Sequence, residues 1–241
     1  TPRVGIKENY VEAALGPRPN KWGILQVSFK ASGDFITDFD NKLLTREIEL
    51  TPLEVELISG DAFEINASPV YEFLDEDFEI YPKESITIPG GEYNFWRYSM
   101  QFESAQRRRV WFQPQYTWGS FFNGHRQDLE FAFGYKINTP IFVGLEYVLN
   151  QVQLPEGDFT TQVYRANANI FFSPDISLTN FVQYDNVTER VGWQSRFRWI
   201  LKPGNEILFV WNSNIFKGLD EERFAVQESF TRLKLNYNFR F

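Results

Sequence analysis

Apolar and polar residues alternate along most of this 241-residue chain. The stretch 126–138 shows the pattern. Its odd-numbered residues include Leu129, Phe131, Phe133, Tyr135 and Ile137, and its even-numbered residues include Glu130, Ala132, Gly134, Lys136 and Asn138. Successive side chains of a strand point to opposite faces, so this alternation predicts strands with one apolar and one polar face. No helical period of 3.6 residues competes with it over a useful length.

The same reading predicts thirteen strands. They lie near 3–15, 22–34, 42–58, 61–74, 91–104, 108–120, 126–138, 140–153, 159–172, 176–187, 191–202, 205–215 and 227–241. A strand that crosses a bilayer at a tilt needs roughly nine to eleven residues. Each predicted strand is long enough for that.

The connections alternate between short turns and longer loops. Turns are predicted near 59–61, 105–107, 138–140, 173–175 and 202–205, and loops at 35–41, 75–90, 121–125, 154–158, 188–190 and 216–226. We expect the turns to share one end with Phe241, and the loops near 75–90 and 216–226 to share the other. Because 75–90 contains Pro82, Pro89 and two glycines, an excursion or small hairpin is expected there.

Composition narrows the class of β protein. Aromatic residues make up 18% of the chain, yet charged residues make up 23% and the mean hydropathy is -0.38. No run of 18 apolar residues occurs, so a helical membrane protein is excluded. A barrel in which every second residue faces lipid predicts this combination. The chain is therefore predicted to be all-β: an antiparallel, up-and-down transmembrane β-barrel of a Gram-negative outer membrane, with a soluble β-sandwich as the competing fold.

In a barrel, alternate residues of each strand face the lipid and the lumen. Residues predicted to face lipid and to carry the terminal assembly signal are Leu233, Leu235, Tyr237, Phe239 and Phe241. Residues predicted to line the lumen are Glu130, Lys136, Glu146, Arg165, Arg196, Arg198, Lys234 and Arg240. An aromatic girdle at the headgroup level is predicted from Trp96, Trp111, Trp118, Trp193, Trp199 and Trp211.

An odd strand count bears on the domain organisation. Single-chain bacterial barrels have an even number of strands, and an unpaired edge in lipid is costly. We therefore treat residues 1–241 as one barrel domain of 13 or 14 strands that is incomplete at the N-terminus. A missing N-terminal segment, or a second chain, is expected to pair with 3–15 and 227–241.

Candidate chemistry is sparse. His125 is the only histidine, and Asp128 and Ser120 are its candidate partners at a rim. No G-x-S-x-G motif accompanies them, and a loop histidine is usually a solvated side chain. Cysteine is absent, and the carboxylates of loops such as 75–79 lack the spacing of an EF-hand, so a solvated acidic rim is favoured over a calcium site. No catalytic residue, metal or cofactor is expected.

Several segments resemble a known envelope family. They are Tyr71–Glu76, Leu154–Thr161, Phe172–Leu178, Val182–Val187, Arg196–Trp199, Lys202–Glu206 and Val210–Asn212. Together they are similar to the C-terminal barrel of domain of unknown function 5916. The resemblance is strongest from about 61 to 241. Full-length members typically carry a signal peptide and an N-terminal domain similar to family 9 carbohydrate-binding modules, which implies a link to carbohydrate uptake.

The expected function is a porin-like transport channel or an envelope scaffold in the bacterial outer membrane, without enzymatic activity. The alternatives are a structural subunit of an outer-membrane complex, a rim-located hydrolase and a soluble carbohydrate-binding β-sandwich. Expected partners are outer-membrane lipid and lipopolysaccharide, the barrel-assembly machinery and other envelope subunits. A net charge of -8 argues against nucleic acid.

Overall fold

The computed structural model describes residues 5–217 and 224–238, and within them the protein is all-β. The main sheet has thirteen strands: β1 (Ile6–Leu15), β2 (Ile24–Asp38), β3 (Leu43–Leu57), β4 (Ala62–Leu74), β7 (Gly91–Glu103), β8 (Val110–Phe121), β9 (Gly124–Asn138), β10 (Ile141–Leu154), β11 (Gly157–Ser173), β12 (Ile176–Asp185), β13 (Arg190–Lys202), β14 (Asn205–Lys217) and β15 (Phe224–Asn236). The sheet is antiparallel and up-and-down, and its strand order follows the chain.

All thirteen predicted strands are present in the main sheet, and their starts fall within three residues of prediction. The largest differences are at two strand ends. Strand β2 continues to Asp38 instead of stopping at 34, because its last residues pair with both β1 and β3. Strand β15 ends at Asn236, so Tyr237 is not in a strand, and Phe239, Arg240 and Phe241 lie outside the described residues.

The predicted excursion at 75–90 is a small hairpin. Strands β5 (Phe78–Tyr81) and β6 (Ile86–Ile88) form a separate two-stranded sheet. A single 3₁₀ turn, Pro82–Glu84, connects them, and Ser85 closes it in the left-handed conformation with φ 54°. Pro82 suits the first position of that turn because its φ is already fixed near the helical value. The expectation of a hairpin here is confirmed.

The chain forms two compact units. The first contains the described residues of Thr1–Ala105, Gln113–Glu130 and Leu149–Thr160. The second contains those of Gln106–Phe112, Phe131–Val148 and Thr161–Phe241. Within the first unit, the turn between β3 and β4 is at the opposite end of the strands from the 75–90 connection, as antiparallel order requires. Within the second, the turns before β12 and β14 share an end.

A bulge in β3 changes which side chains share a face. The pairing of β3 with β4 shifts register between Leu50 and Leu53, around Pro52. Proline cannot donate to a ladder and is tolerated in strands at such bulges. After the shift, Glu54 stands opposite Glu64, whereas before it Glu47 stands opposite Val70. The face of β3 that carries Glu47 therefore has odd-numbered residues before Pro52 and even-numbered residues after it.

Two strands occupy the edges of the main sheet. Among the described residues, β1 pairs with β2 alone and β15 pairs with β14 alone. The edges of the sheet are thus open here.

Candidate functional site

The second unit has a continuous apolar face. Directly opposed residues share a face, so Tyr164 lies with Tyr184, and Val182 lies with Trp193. The face continues over β13, β14 and β15 with Phe197, Trp199, Ile207, Phe209, Leu233 and Leu235. Leu233 is 63% exposed and Leu235 is 65% exposed. The residues predicted to face lipid at 233 and 235 therefore belong to an uncovered apolar surface, and Tyr237 just beyond it is also exposed.

A groove on this face is lined almost entirely by rings and aliphatic side chains. Its volume is about 360 Å³, and Phe131, Phe133, Leu145 and Tyr147 line one part of it. The Tyr147 and Tyr164 rings lie beside each other in it, at a centroid distance of 4.8 Å. Large apolar side chains that remain uncovered over this many strands mark a surface that contacts something other than water.

The opposite face of the second unit is polar and carries the predicted lumen residues. The Arg165 guanidinium lies 3.3 Å from the Glu146 carboxylate and donates to Gln183 at 3.2 Å. Arg198 pairs with Glu206 at 2.8 Å. Arg196 stands beside Thr179 and Val210, and Lys234 stands opposite Leu208 on the same face. Lys136 donates to the carbonyl of Gln106 at 2.7 Å.

The first unit also has one apolar face, formed by β1 to β4, β7 and β8. Opposed pairs on it include Leu15 with Phe29, Ile65 with Met100, and Tyr98 with Trp118. The exposed members are Val11, Leu15, Phe29, Leu50, Phe63, Trp96, Tyr98 and Met100. The first unit, like the second, therefore has large apolar side chains exposed on one face.

The polar face of the first unit is rich in carboxylates, which sequence analysis missed. Glu49 lies opposite Ser32 of β2, and Glu54 lies opposite Glu64. Hydrogen bonds join the carboxylates to neighbours, as in Thr45 to Glu72 at 2.8 Å and Asn66 to Glu64 at 2.6 Å. Lys30 pairs with Glu54 at 2.6 Å. Strict alternation could not place Glu49 and Glu54 on the same face, because the bulge at Pro52 reverses the parity of β3.

A buried ion network occupies the same polar face. The Asp128 carboxylate accepts from Arg97 at 2.5 Å and from Arg126 at 2.7 Å. Arg97 and Asp128 are only 12% and 9% exposed, so neither charge is solvated freely. Arg126 also donates to Asn150 at 3.3 Å, and Arg97 donates to the carbonyl of Arg126. Glu130, predicted to line the lumen, is an exposed residue of β9.

The β5–β6 hairpin packs on a distant strand of the first unit. Tyr81 stacks on Phe159 with a ring-centroid distance of 4.6 Å and an interplanar angle of 4°. Gly157 lies beneath Ile86, where a Cβ would come within 2.9 Å of the isoleucine Cδ1. The hairpin leaves the sheet between β4 and β7, and these contacts fix it to the beginning of β11, four strands further along.

The candidate partners of His125 are bonded to other groups. Asp128 is engaged with Arg97 and Arg126, and the Ser120 hydroxyl is bonded to the backbone of Trp96. His125 borders a small cavity with Asp158 and Thr160. No hydrogen bond or ion pair joins it to Asp128 or Ser120 among the described residues.

One predicted girdle residue lies on the polar face. The Trp111 indole covers Gly134, where a Cβ would come within 2.2 Å of the ring, and stacks with Phe142 at 6.4 Å. Gly134 has the parity of Lys136 in β9, so Trp111 does not belong to an outward girdle. Its ring instead fills the space that the glycine leaves. The other girdle tryptophans described here, Trp96, Trp118, Trp193, Trp199 and Trp211, have the parity of the apolar faces.

Residues 5–217 and 224–238 contain no group of three or more His, Asp or Glu side chains arranged to hold a metal ion. In the same part of the chain, no helix has the length and apolar character needed to cross a bilayer. No protein-family model matches the chain, and no curated protein matches its sequence.

Proposed function

We propose that this protein is an outer-membrane β-barrel protein of a Gram-negative bacterium that acts as a channel or an envelope scaffold. The observation that carries the proposal is the pair of faces in each unit. One face exposes large apolar side chains over many strands, and the other holds paired charges. In a membrane-spanning barrel, lipid would cover the apolar face and water would solvate the polar face.

A soluble β-sandwich is disfavoured by the same observation. A sandwich buries the apolar face of one sheet against a second sheet about 10 Å away. Within the described residues the only second sheet is the β5–β6 hairpin, whose seven strand residues are far too few to cover the apolar faces. In water those faces would therefore remain uncovered, whereas a bilayer covers them without any further protein.

A bilayer also requires partners for the two edges of the sheet. An unsatisfied backbone N–H or C=O group in hydrocarbon costs several kcal/mol, so spanning sheets are closed. In the proposed barrel, β1 and β15 are closed either onto each other or by strands of another polypeptide. The resemblance to domain of unknown function 5916, and the link to carbohydrate uptake that it implies, remain predictions.

Two arginine substitutions on one strand test the membrane assignment. Phe209 lies on the apolar face of β14 between Phe197 and Leu233, and Asn212 lies on the polar face of that strand. An arginine facing lipid near the midplane costs about 2–4 kcal/mol, whereas one facing water costs little. We expect Phe209→Arg to lower the yield of protein folded into phospholipid vesicles by at least tenfold and Asn212→Arg to leave it nearly unchanged.

Folding yield would be measured from the heat-modifiable mobility of the folded protein in gel electrophoresis. A wild-type chain that is monodisperse without detergent, or that tolerates both arginines equally, would refute the membrane assignment. For a protein that inserts, single-channel recording in planar bilayers separates a channel from a scaffold. A structural subunit would conduct poorly and co-purify with a fixed partner.

A further inference from the structure

We propose that the apolar face of β1–β4 binds lipid-borne phosphate groups at the end of the strands that carries the 39–42 and 75–90 connections. The proposal rests on the membrane assignment above and adds a specific ligand to it. Three cations carry it, Lys7, Lys42 and Arg46, which are here called the rim cations. Together they form a positively charged row on a chain whose net charge is -8.

Strand register places the rim cations on one face. Arg46 stands between Phe35 of β2 and Tyr71 of β4, which puts it on the apolar face. Lys7 stands opposite Thr37 and has the parity of the exposed Val11. Lys7 and Arg46 lie within the first four residues of β1 and β3, and Lys42 lies in the turn just before β3.

Aromatic rings hold all three rim cations. Lys42 Nζ is 3.4 Å from the ring centroid of Phe73, and the Arg46 guanidinium carbon is 5.9 Å from that of Tyr71. Lys7 Nζ is 5.9 Å from the Phe39 ring centroid. Cations and rings are combined in this way where a protein surface passes from hydrocarbon into headgroups.

None of the rim cations has a carboxylate partner among the described residues. Lys7 donates to two neutral oxygens, the Phe39 carbonyl and the Asn41 side chain, each at 2.9 Å. The Nε of Arg46 is buried and has no hydrogen-bond partner in this part of the chain. Glu92 stands opposite Phe73 on β7, yet within the described part of the chain no ion pair joins it to Lys42. The three cations thus have no direct ion pair among the described residues, and Lys42 lines a cavity at this end together with Asp38 and Asp75.

Phosphate is the anion that fits this arrangement. A guanidinium and ammonium groups bind phosphate oxygens with charge-assisted hydrogen bonds, and the guanidinium can do so in a bidentate fashion. At the outer leaflet the phosphates belong to lipid, whose acyl chains would cover the neighbouring apolar residues. A bisphosphorylated glycolipid such as lipid A therefore satisfies both the cations and the apolar face.

Native mass spectrometry of the full chain in detergent micelles tests the proposal by titration with bisphosphorylated lipid A. The test variant is Lys42→Gln/Arg46→Gln. The matched control is Arg18→Gln/Lys21→Gln, which removes the same charge from the opposite end of the same unit. Each basic residue contributes about 1 kcal/mol to binding of anionic lipid, so the test variant should bind about 30-fold more weakly and the control as wild type.

Two further ligands identify what is bound. Dephosphorylated lipid A should bind no better to wild type than to the test variant, and millimolar inorganic phosphate should not displace lipid A. Equal weakening in both double variants, binding without the phosphates, or displacement by free phosphate would overturn the proposal. Insertion of the wild type into phosphatidylcholine vesicles is measured in parallel. A chain that inserts but shows no lipid A preference refutes this inference alone, and one that fails to insert refutes the proposed function.

Discussion

At the scale of single residues, the described charges fall into two environments. Asp128 and Arg97 are almost fully covered, whereas Arg165 and Glu146 are 37% and 54% exposed. A buried pair repays its desolvation only when every charge is matched, so losing one partner leaves the other uncompensated. An exposed pair is screened by water and contributes little.

Asp128→Asn should therefore destabilise the protein far more than Glu146→Gln. The first substitution leaves Arg97 and Arg126 facing each other without a counter-charge, and we expect it to lower the free energy of unfolding by about 3–5 kcal/mol. The second removes half of an exposed pair and should cost less than about 1 kcal/mol. Urea unfolding of both variants in the same lipid vesicles measures the difference. Similar small losses would mean that water reaches Asp128 freely.

At the scale of elements, the β5–β6 hairpin is held from one side only. Ile88 is 0% exposed, while its cross-strand partner Phe78 is 43% exposed. Burial of Ile86 and Ile88, together with the Tyr81–Phe159 stack, provides the contacts that keep the hairpin in place. A polar group at a buried hairpin position should release the hairpin without unfolding the sheet.

Ile88→Asp and Phe78→Asp make a matched comparison on this hairpin. A carboxylate at 88 would be buried without a partner, whereas one at 78 would remain in water. We expect amide hydrogen exchange over residues 78–88 to accelerate by at least about 100-fold in Ile88→Asp, from local opening, and to change little in Phe78→Asp. Acceleration throughout β7 and β11 in Ile88→Asp would show that the hairpin and the sheet unfold together.

At the scale of the whole molecule, carboxylates dominate the polar face of the first unit. If that face lines a water-filled lumen, its charge acts on permeating ions, because rings of acidic side chains favour cations. The substitution Glu64→Gln should lower the cation selectivity of the channel. In a salt gradient, the reversal potential should then shift towards the equilibrium potential of the anion. Glu92→Gln removes the same charge from the apolar face and should leave the potential unchanged. A shift of equal size in both would mean that Glu64 does not face the conduction path.

The sequence alone was sufficient to predict the strands and most of the two faces. Alternation is a local property, since a side chain's face depends only on its position along an extended strand. In the sheet, Leu233 and Leu235 lie on the apolar face, and Arg165 and Arg198 lie on the polar face. The hairpin was also predictable, because the prolines and glycines of 75–90 exclude a simple turn.

The register between strands decided which side chains meet on each face. The bulge at Pro52 moves Glu54 onto the face of Glu47, and only pairing with the neighbouring strands β2 and β4 reveals the shift. Arg97 and Asp128 lie 31 residues apart in the chain, and the rim cations come from two strands and a turn. Such groupings depend on which residues stand opposite one another across strands, and alternation within a strand does not encode that choice. Local pattern therefore determined the faces of this protein, and tertiary pairing determined which charges meet on them.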